Sequence, residues 1–262
     1  EKQFTTLGQN VTALEVNGTF DHCQKLVKEA FADEKLREKM ILTSANSINL
    51  ARFLPQAFYY FRAWSQLEAD ELVISVPSGN FGNLTAGLVA REMGLPAHTF
   101  LAASNANDVV PEYLETGKYN PRDSVKTIAN AMDVGAPSNF ERVMELFDHK
   151  HERIIKHLKG YRYNDAQIRQ VIRDVYKNHG YILDPHGATG YKAAHTYRTQ
   201  HPDSTVVFLE TAHPAKFPEV VDELVDNKLK APERLRAFSK GKKESINITA
   251  DYGDFKKYLA DN

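Results

Sequence analysis

This sequence predicts an α/β fold with a mainly parallel sheet covered on both faces, and three observations carry that prediction. Short apolar runs rich in β-branched and aromatic residues recur at 72–76 (LVISV), 97–102 (AHTFLA) and 205–209 (TVVFL). Segments with apolar residues at helical spacing separate them, as at 84–93 and 186–200. Polar or glycine-containing turns leave each run at its carboxyl end. Strands that read as continuous apolar runs belong to sheets buried on both sides, which helical crossovers provide.

In chain order, residues 11–16 read as a strand, and Asp21 stands where it can cap a helix reaching about Ala32. Residues 44–52 (SANSINLAR) are rich in amide side chains and open a helical pattern from about 49 to 67. Its Phe53, Phe58, Tyr59, Phe61 and Trp64 are expected in the core. The strand at 72–76 stops at Pro77, and the helix at 84–93 is ended by Gly94 and Pro96. After the strand at 97–102 comes a polar turn, 103–108. Residues 120–136 form a polar loop long enough to be a site segment. Helices are expected at 140–158 and 165–178, a short strand at 181–184, and a helix at 186–200. A helix at 214–226 follows the strand at 205–209, and the tail from 231 is helical and charged.

The 262 residues carry a formal net charge of −1, which excludes bulk attraction to nucleic acid or to an anionic membrane surface. No apolar run approaches the length of a membrane span, and no signal peptide opens the chain. Cys23 is the single cysteine, so neither an internal disulfide nor a cysteine-rich metal site is expected, and no other metal site is predicted. That cysteine usage fits a reducing, cytoplasmic location. Cys23 itself reads as a small core residue.

Three polar clusters lie where such a sheet binds ligands, beyond the carboxyl ends of strands. The first is the turn Ser78, Gly79, Asn80, Phe81, Gly82 and Asn83. Its glycines allow close approach of a ligand, and the helix that follows offers unpaired N–H groups and a positive dipole end to a phosphate. It lacks the Gly-Lys-Ser/Thr ending of an ATPase loop and the third glycine of a dinucleotide fingerprint, so alone it is equally an ordinary turn. The second is 210–217 (ETAHPAKF), which displays a hydroxyl, an imidazole and an ammonium. The third is 44–52. Each has a structural reading as well: Thr211, Asn46 and Asn49 as helix caps, His213 as a turn residue.

The motifs at 78–83 (SGNFGN), 44–49 (SANSIN), 130–133 (NAMD) and 211–217 (TAHPAKF) resemble the threonine synthase family, in the branch shared by enterobacteria and fungi. Their order and spacing match over nearly the whole chain. The resemblance implies a pyridoxal 5'-phosphate enzyme of the tryptophan-synthase-β type (fold type II), converting O-phosphohomoserine and water to threonine and phosphate. It implies that residues 78–83 cradle the cofactor phosphate and that the Thr211 hydroxyl meets the pyridine nitrogen. Ser47, Asn49 and Arg52 become candidates for holding the substrate's carboxylate or phosphate, and Arg52 suits either through its planar fork. It divides the chain into the remainder of a small α/β domain (1–45) and a large cofactor-binding domain (46–262).

The family's Schiff-base lysine lies in a segment ahead of the region matched here. Lys216 occupies a downstream position that is not that lysine. The resemblance therefore implies no catalytic residue in this chain and an inactive carboxyl-terminal portion of the enzyme. Two other readings stay open: a non-catalytic module binding a small phosphorylated ligand, and a serine or threonine dehydratase, against which TAHPAKF argues.

Overall fold

The computed structural model describes every residue except 1, 9, 48, 68, 70, 71, 227, 228 and 262, with the backbone alone at 2, 3 and 239. Six strands lie among the described residues: β1 (Leu14–Val16), β2 (Leu72–Pro77), β3 (Ala97–Ser104), β4 (Leu158–Arg162), β5 (Thr205–Phe208) and β6 (Ile246–Ile248). The chain forms two units, Ser44–Leu229 and Glu1–Thr43 together with Lys230–Asn262.

In the unit Ser44–Leu229, four strands form an all-parallel sheet in the order β4-β3-β2-β5. Alternation along the strands supplies both faces. Leu72, Ile74 and Val76 of β2 pack with Phe100 and Ala102 of β3 against Tyr60, Leu84, Leu88, Phe140 and Ile154. Val73, Leu101 and Ala103 point the other way, onto Ile168, Ile172, Leu183, Ala188 and Tyr197. Because side chains alternate with a period of two, residues with both orientations must be apolar, and that is why the strands read as unbroken apolar runs. The expected doubly covered parallel sheet is what forms.

Several elements differ from expectation for local reasons. The pattern at 49–67 breaks into Leu50–Phe53, a 3₁₀ turn Leu54–Gln56 containing Pro55, and Ala57–Trp64. Phe53 is buried, but Phe58 is 66% exposed and Tyr59 and Trp64 also face outward, while Tyr60 holds the core position. The helix expected at 140–158 stops at Leu146 and resumes at His151, because Asp148 and His149 adopt positive φ. Leu158 then opens β4, an edge strand whose lysine and arginine hid it from an apolar-run reading.

Residues 181–184 form no strand. The 214–226 region is a 3₁₀ turn, Pro214–Lys216, followed by a single helical turn, Pro218–Val221.

In the other unit, β1 and β6 pair in parallel, Leu14 opposite Ile246. The helix Phe20–Ala32 is capped from Thr19 rather than Asp21: the Thr19 N–H donates to His22 Nδ1 at 3.0 Å, and Asp21 sits in the first turn. Cys23 is only half-buried. The expected division put 46–262 in one domain, whereas the β1–β6 pairing groups Lys230–Asn262 with the first 43 residues. No helix among the described residues is long and apolar enough to cross a membrane.

Candidate functional site

The glycine turn leaves the sheet at the carboxyl end of β2. Ser78 is buried, its N–H donates to Ala103 O at 2.8 Å, and its hydroxyl donates back to Val76 O at 2.8 Å. Phe81 then takes a left-handed conformation (φ 62°), which turns the chain into the helix Gly82–Glu92. Such a φ is uncommon for a large side chain. It is held because the Phe81 ring is buried edge-on against Phe140, centroids 5.7 Å apart. No side chain caps this helix, and the N–H groups of residues 79–84 meet no acceptor among the described residues. A helix start left this way is suited to an anion.

The side chains of the turn are spent on its own architecture. Asn80 Oδ1 accepts from the Ser138 N–H at 2.7 Å and the Ser138 hydroxyl at 3.0 Å. Asn83 accepts the hydroxyl of wholly buried Tyr60 at its carbonyl, 2.9 Å, and at its side-chain oxygen. A Cβ on Gly79 would approach Met132 Cα to 2.6 Å, and one on Gly82 would meet the Ser47 side chain at 3.0 Å. Gly79 is therefore required by neighbouring backbone, and Gly82 sits tightly against a side chain.

Ser47 is tied into the same cluster. Its hydroxyl accepts from Asn139 Nδ2 at 2.8 Å, and its carbonyl accepts from Arg142 Nη1 at 3.0 Å. Asn49 caps the helix Leu50–Phe53, accepting from Ala51 N at 3.0 Å and donating to Ser44 O at 3.1 Å. Arg52 is exposed; its Nε donates to Ala45 O at 2.7 Å.

Thr211 reaches the site by strand register. Ser75 of β2 pairs with Phe208 of β5, and the Leu209 N–H donates to Ser75 O at 3.0 Å. Ser78 and Thr211 each lie three residues beyond that pair, on adjacent parallel strand ends. Thr211 is exposed on the wall of an open cleft of about 650 Å³ that also includes Tyr181, Glu210, His213 and Lys216. The turn 78–83 lies outside that lining. His213 Nδ1 accepts from the Ala215 N–H at 3.1 Å and so caps the 3₁₀ turn.

Sequence reading missed the buried groups behind this surface. Asp184 is wholly buried and caps the helix Pro185–Gln200, and His186 is 4% exposed. His186 Nδ1 lies 2.6 Å from Asp184 Oδ1, while Nε2 accepts from the Ala131 N–H at 3.2 Å. This holds the loop that carries Met132 over Gly79. The signal was present as an N-cap aspartate followed by proline at the first helical position.

The polar loop expected at 120–136 is fixed by a second network. Asn105 Nδ2 donates to Thr127 Oγ1 and Asp133 Oδ1, both at 2.8 Å, and Asn107 Oδ1 accepts from Val125 N at 2.7 Å.

A parallel sheet with an uncapped helix start and a hydroxyl on adjacent strand ends is compatible with a bound phosphate-bearing ligand. A profile described as pyridoxal-phosphate dependent enzyme matches residues 1–212, and the chain belongs to that family. A second profile, threonine synthase, C-terminal, matches residues 187–259. The chain is a homologue of threonine synthase: it is 44% identical to the Escherichia coli K12 enzyme and 42% identical to that of Buchnera aphidicola from Schizaphis graminum. Each match covers 99% of this chain and 60% of the relative, so the chain spans about three-fifths of their length.

Among solved structures, threonine synthase from Escherichia coli superposes with a TM-score of 0.94 at 42% identity, over 100% of this chain and 61% of that one. Pyridoxal-phosphate-bound threonine synthase from Brucella melitensis gives 0.83 at 32% identity, over 98% and 61%. Serine racemase from Dictyostelium discoideum, at 14% identity and a TM-score of 0.53, shares the fold alone.

Proposed function

We propose that this chain supplies the phosphate cradle and ring partner of an enzyme that converts O-phosphohomoserine and water to threonine and phosphate. The observation that carries this reading is the run of unbonded N–H groups at 79–84, one strand away from Thr211. A phosphate would find there N–H donors that meet no acceptor among the described residues, together with a helix dipole. When bound, pyridoxal 5'-phosphate would supply an electron sink for charge developing on substrate carbon. The Thr211 hydroxyl would face the pyridine nitrogen, and a neutral partner there leaves that nitrogen unprotonated.

Ser47, Asn49 and Arg52 are proposed on the substrate side. Arg52 is the most available of them, with its Nη groups free of the Ala45 bond that anchors Nε. No lysine of this chain is assigned the covalent role, and Lys216 is read as a cleft-wall cation. A cytoplasmic location rests on the single cysteine.

The test is titration of the chain with pyridoxal 5'-phosphate, followed by fluorescence, then borohydride reduction and mass analysis. Saturable binding that inorganic phosphate competes away, with no reduced adduct, is expected. A stable adduct on Lys216 would overturn the assignment, and an absence of saturable binding would remove the cradle.

A further inference from the structure

Two carboxyl groups meet behind the 210–217 loop, each with one oxygen left over. Asp184 Oδ1 accepts twice, from the His186 N–H at 2.8 Å and from His186 Nδ1 at 2.6 Å. Glu210 Oε1 accepts the Asp184 N–H at 3.1 Å. Asp184 Oδ2 and Glu210 Oε2 are both buried and meet no donor among the described residues. Yet the two carboxyl groups are neighbours, because Glu210 Oε1 already reaches the backbone N–H of Asp184. Gly187 closes another side of the Glu210 carboxyl, since a Cβ there would come within 2.1 Å of Oε2.

Buried polar atoms are rarely left unpaired, and two ionised carboxylates in contact repel. A single proton between them turns both leftover oxygens into one donor–acceptor pair. Asp184 is the acceptor, because His186 already bonds twice to its ionised form. We propose that Glu210 holds a proton at neutral pH, donates it to Asp184 Oδ2, and through this bond positions the strand end that presents Thr211. Glu210 directly precedes Thr211, so fixing its carboxyl fixes the adjacent peptide. Glu210 is thus a positioning residue. Its bearing on the cofactor rests on the role proposed above for Thr211; the proton itself does not.

The charged and titratable groups around Glu210 are Asp184 and His186 from the start of the helix Pro185–Gln200, Tyr181 from the preceding segment, and His213 and Lys216 from the cleft wall. Burial, reinforced by Asp184, pushes the Glu210 carboxyl up to about 8. Burial also works to raise Asp184, but the hydrogen bonds from the His186 ring and backbone N–H hold it below its ordinary value. A carboxyl raised on folding binds its proton more tightly in the folded chain. Its stabilising effect is full below the unfolded value and is lost as pH rises through the folded one.

The experiment uses the chain as it stands and Glu210→Gln, whose amide can donate to Asp184 Oδ2 and accept the Asp184 N–H. Infrared difference spectra of the unsubstituted chain should show a protonated carboxyl at neutral pH that disappears by about pH 10, and E210Q should lack it. The thermal midpoint should fall between about pH 5 and about pH 9 in the unsubstituted chain, and that fall should be lost in E210Q. Protection of the Leu209 N–H from exchange should weaken in the same alkaline range and persist in E210Q.

An equal slope in both proteins, or no protonated-carboxyl band in the unsubstituted chain, overturns the proposal. The second result stands even if E210Q does not fold. A chain that shows the band and the slope but binds no pyridoxal 5'-phosphate refutes the cofactor reading and leaves the shared proton intact.

Discussion

His186 Nε2 accepts the backbone N–H of Ala131, so the imidazole carries its proton on Nδ1 and donates a hydrogen bond from there to Asp184 Oδ1. One tautomer thereby joins the start of the helix Pro185–Gln200 to the loop that packs over Gly79. The ring also rests on Phe217, centroids 5.0 Å apart, which brings the 210–217 segment into the same unit of structure.

Replacing that imidazole should therefore be costly. His186→Ala strips the acceptor from the Ala131 N–H and removes one of the two donors to Asp184 Oδ1, for which about 1–3 kcal/mol is expected. Urea denaturation measures it. A loss below about 1 kcal/mol, the scale of one ordinary hydrogen bond, would mean that the 130–133 loop is held by other contacts.

Gly79→Ala should destabilise the chain with no cofactor present, because the new Cβ meets backbone at Met132 rather than a movable side-chain tip. Overpacking of this kind costs about 1–3 kcal/mol. Gly82→Ala presses on the Ser47 side chain and should cost less. Thermal melts of both variants, with and without pyridoxal 5'-phosphate, separate packing from ligand clearance. Unchanged melts with lost cofactor affinity would return these glycines to a purely ligand-facing role.

Thr211→Ala should leave stability nearly unchanged, since the residue is exposed on the cleft wall. Cofactor affinity should fall by only about 0.5–1.5 kcal/mol, the worth of one neutral hydrogen bond. Equilibrium titration reads this directly. A substitution with no effect on affinity or on the bound cofactor's spectrum would mean that Thr211 does not face the ring.

These variants also show what the sequence made legible. Strands β2 and β3 were readable because burial on both faces leaves most positions apolar, and β5 because Val206, Val207 and Phe208 are apolar although this edge strand is half-buried. β4 was not, because an edge strand tolerates Lys159 and Arg162, and its identity comes from pairing with β3. The turn 78–83 and Thr211 were visible as motifs, yet the reason for Gly79 was not, since Met132 lies far along the chain. Nor could Phe81 be recognised as the left-handed residue: only its burial against Phe140 makes that conformation tolerable. Contacts between distant segments decide such positions, and periodicity does not record them.

Acid should loosen the unit built from the two ends of the chain. Asp33 accepts from Tyr252 at 2.8 Å and pairs with Lys256, and its carboxyl is held down to about 2, chiefly by the Lys256 hydrogen bond and then by Tyr252. A carboxyl lowered on folding stabilises above its unfolded value and loses that contribution as pH falls toward the folded one. Stability should therefore decline from about pH 4 to about pH 2, and Asp33→Asn should flatten that decline. Circular dichroism of both proteins across this range checks it, and an unchanged acid limb in the variant would dismiss Asp33 as its source.

The pairing of β1 with β6 sets an order of events during synthesis. Leu14 emerges from the ribosome about 230 residues before its partner Ile246, an interval of roughly 10–50 s at ordinary elongation rates. Throughout it, β1 lacks its partner, whereas the last strand of the four-stranded sheet, Thr205–Phe208, emerges about 40 residues before Ile246. β1 is thus paired only after the four-stranded sheet is complete, and until then its edge is open to proteases and to pairing with a neighbouring nascent chain. Stalled nascent chains ending before and after residue 248 should differ in cleavage within the first 43 residues and agree within the four-stranded sheet.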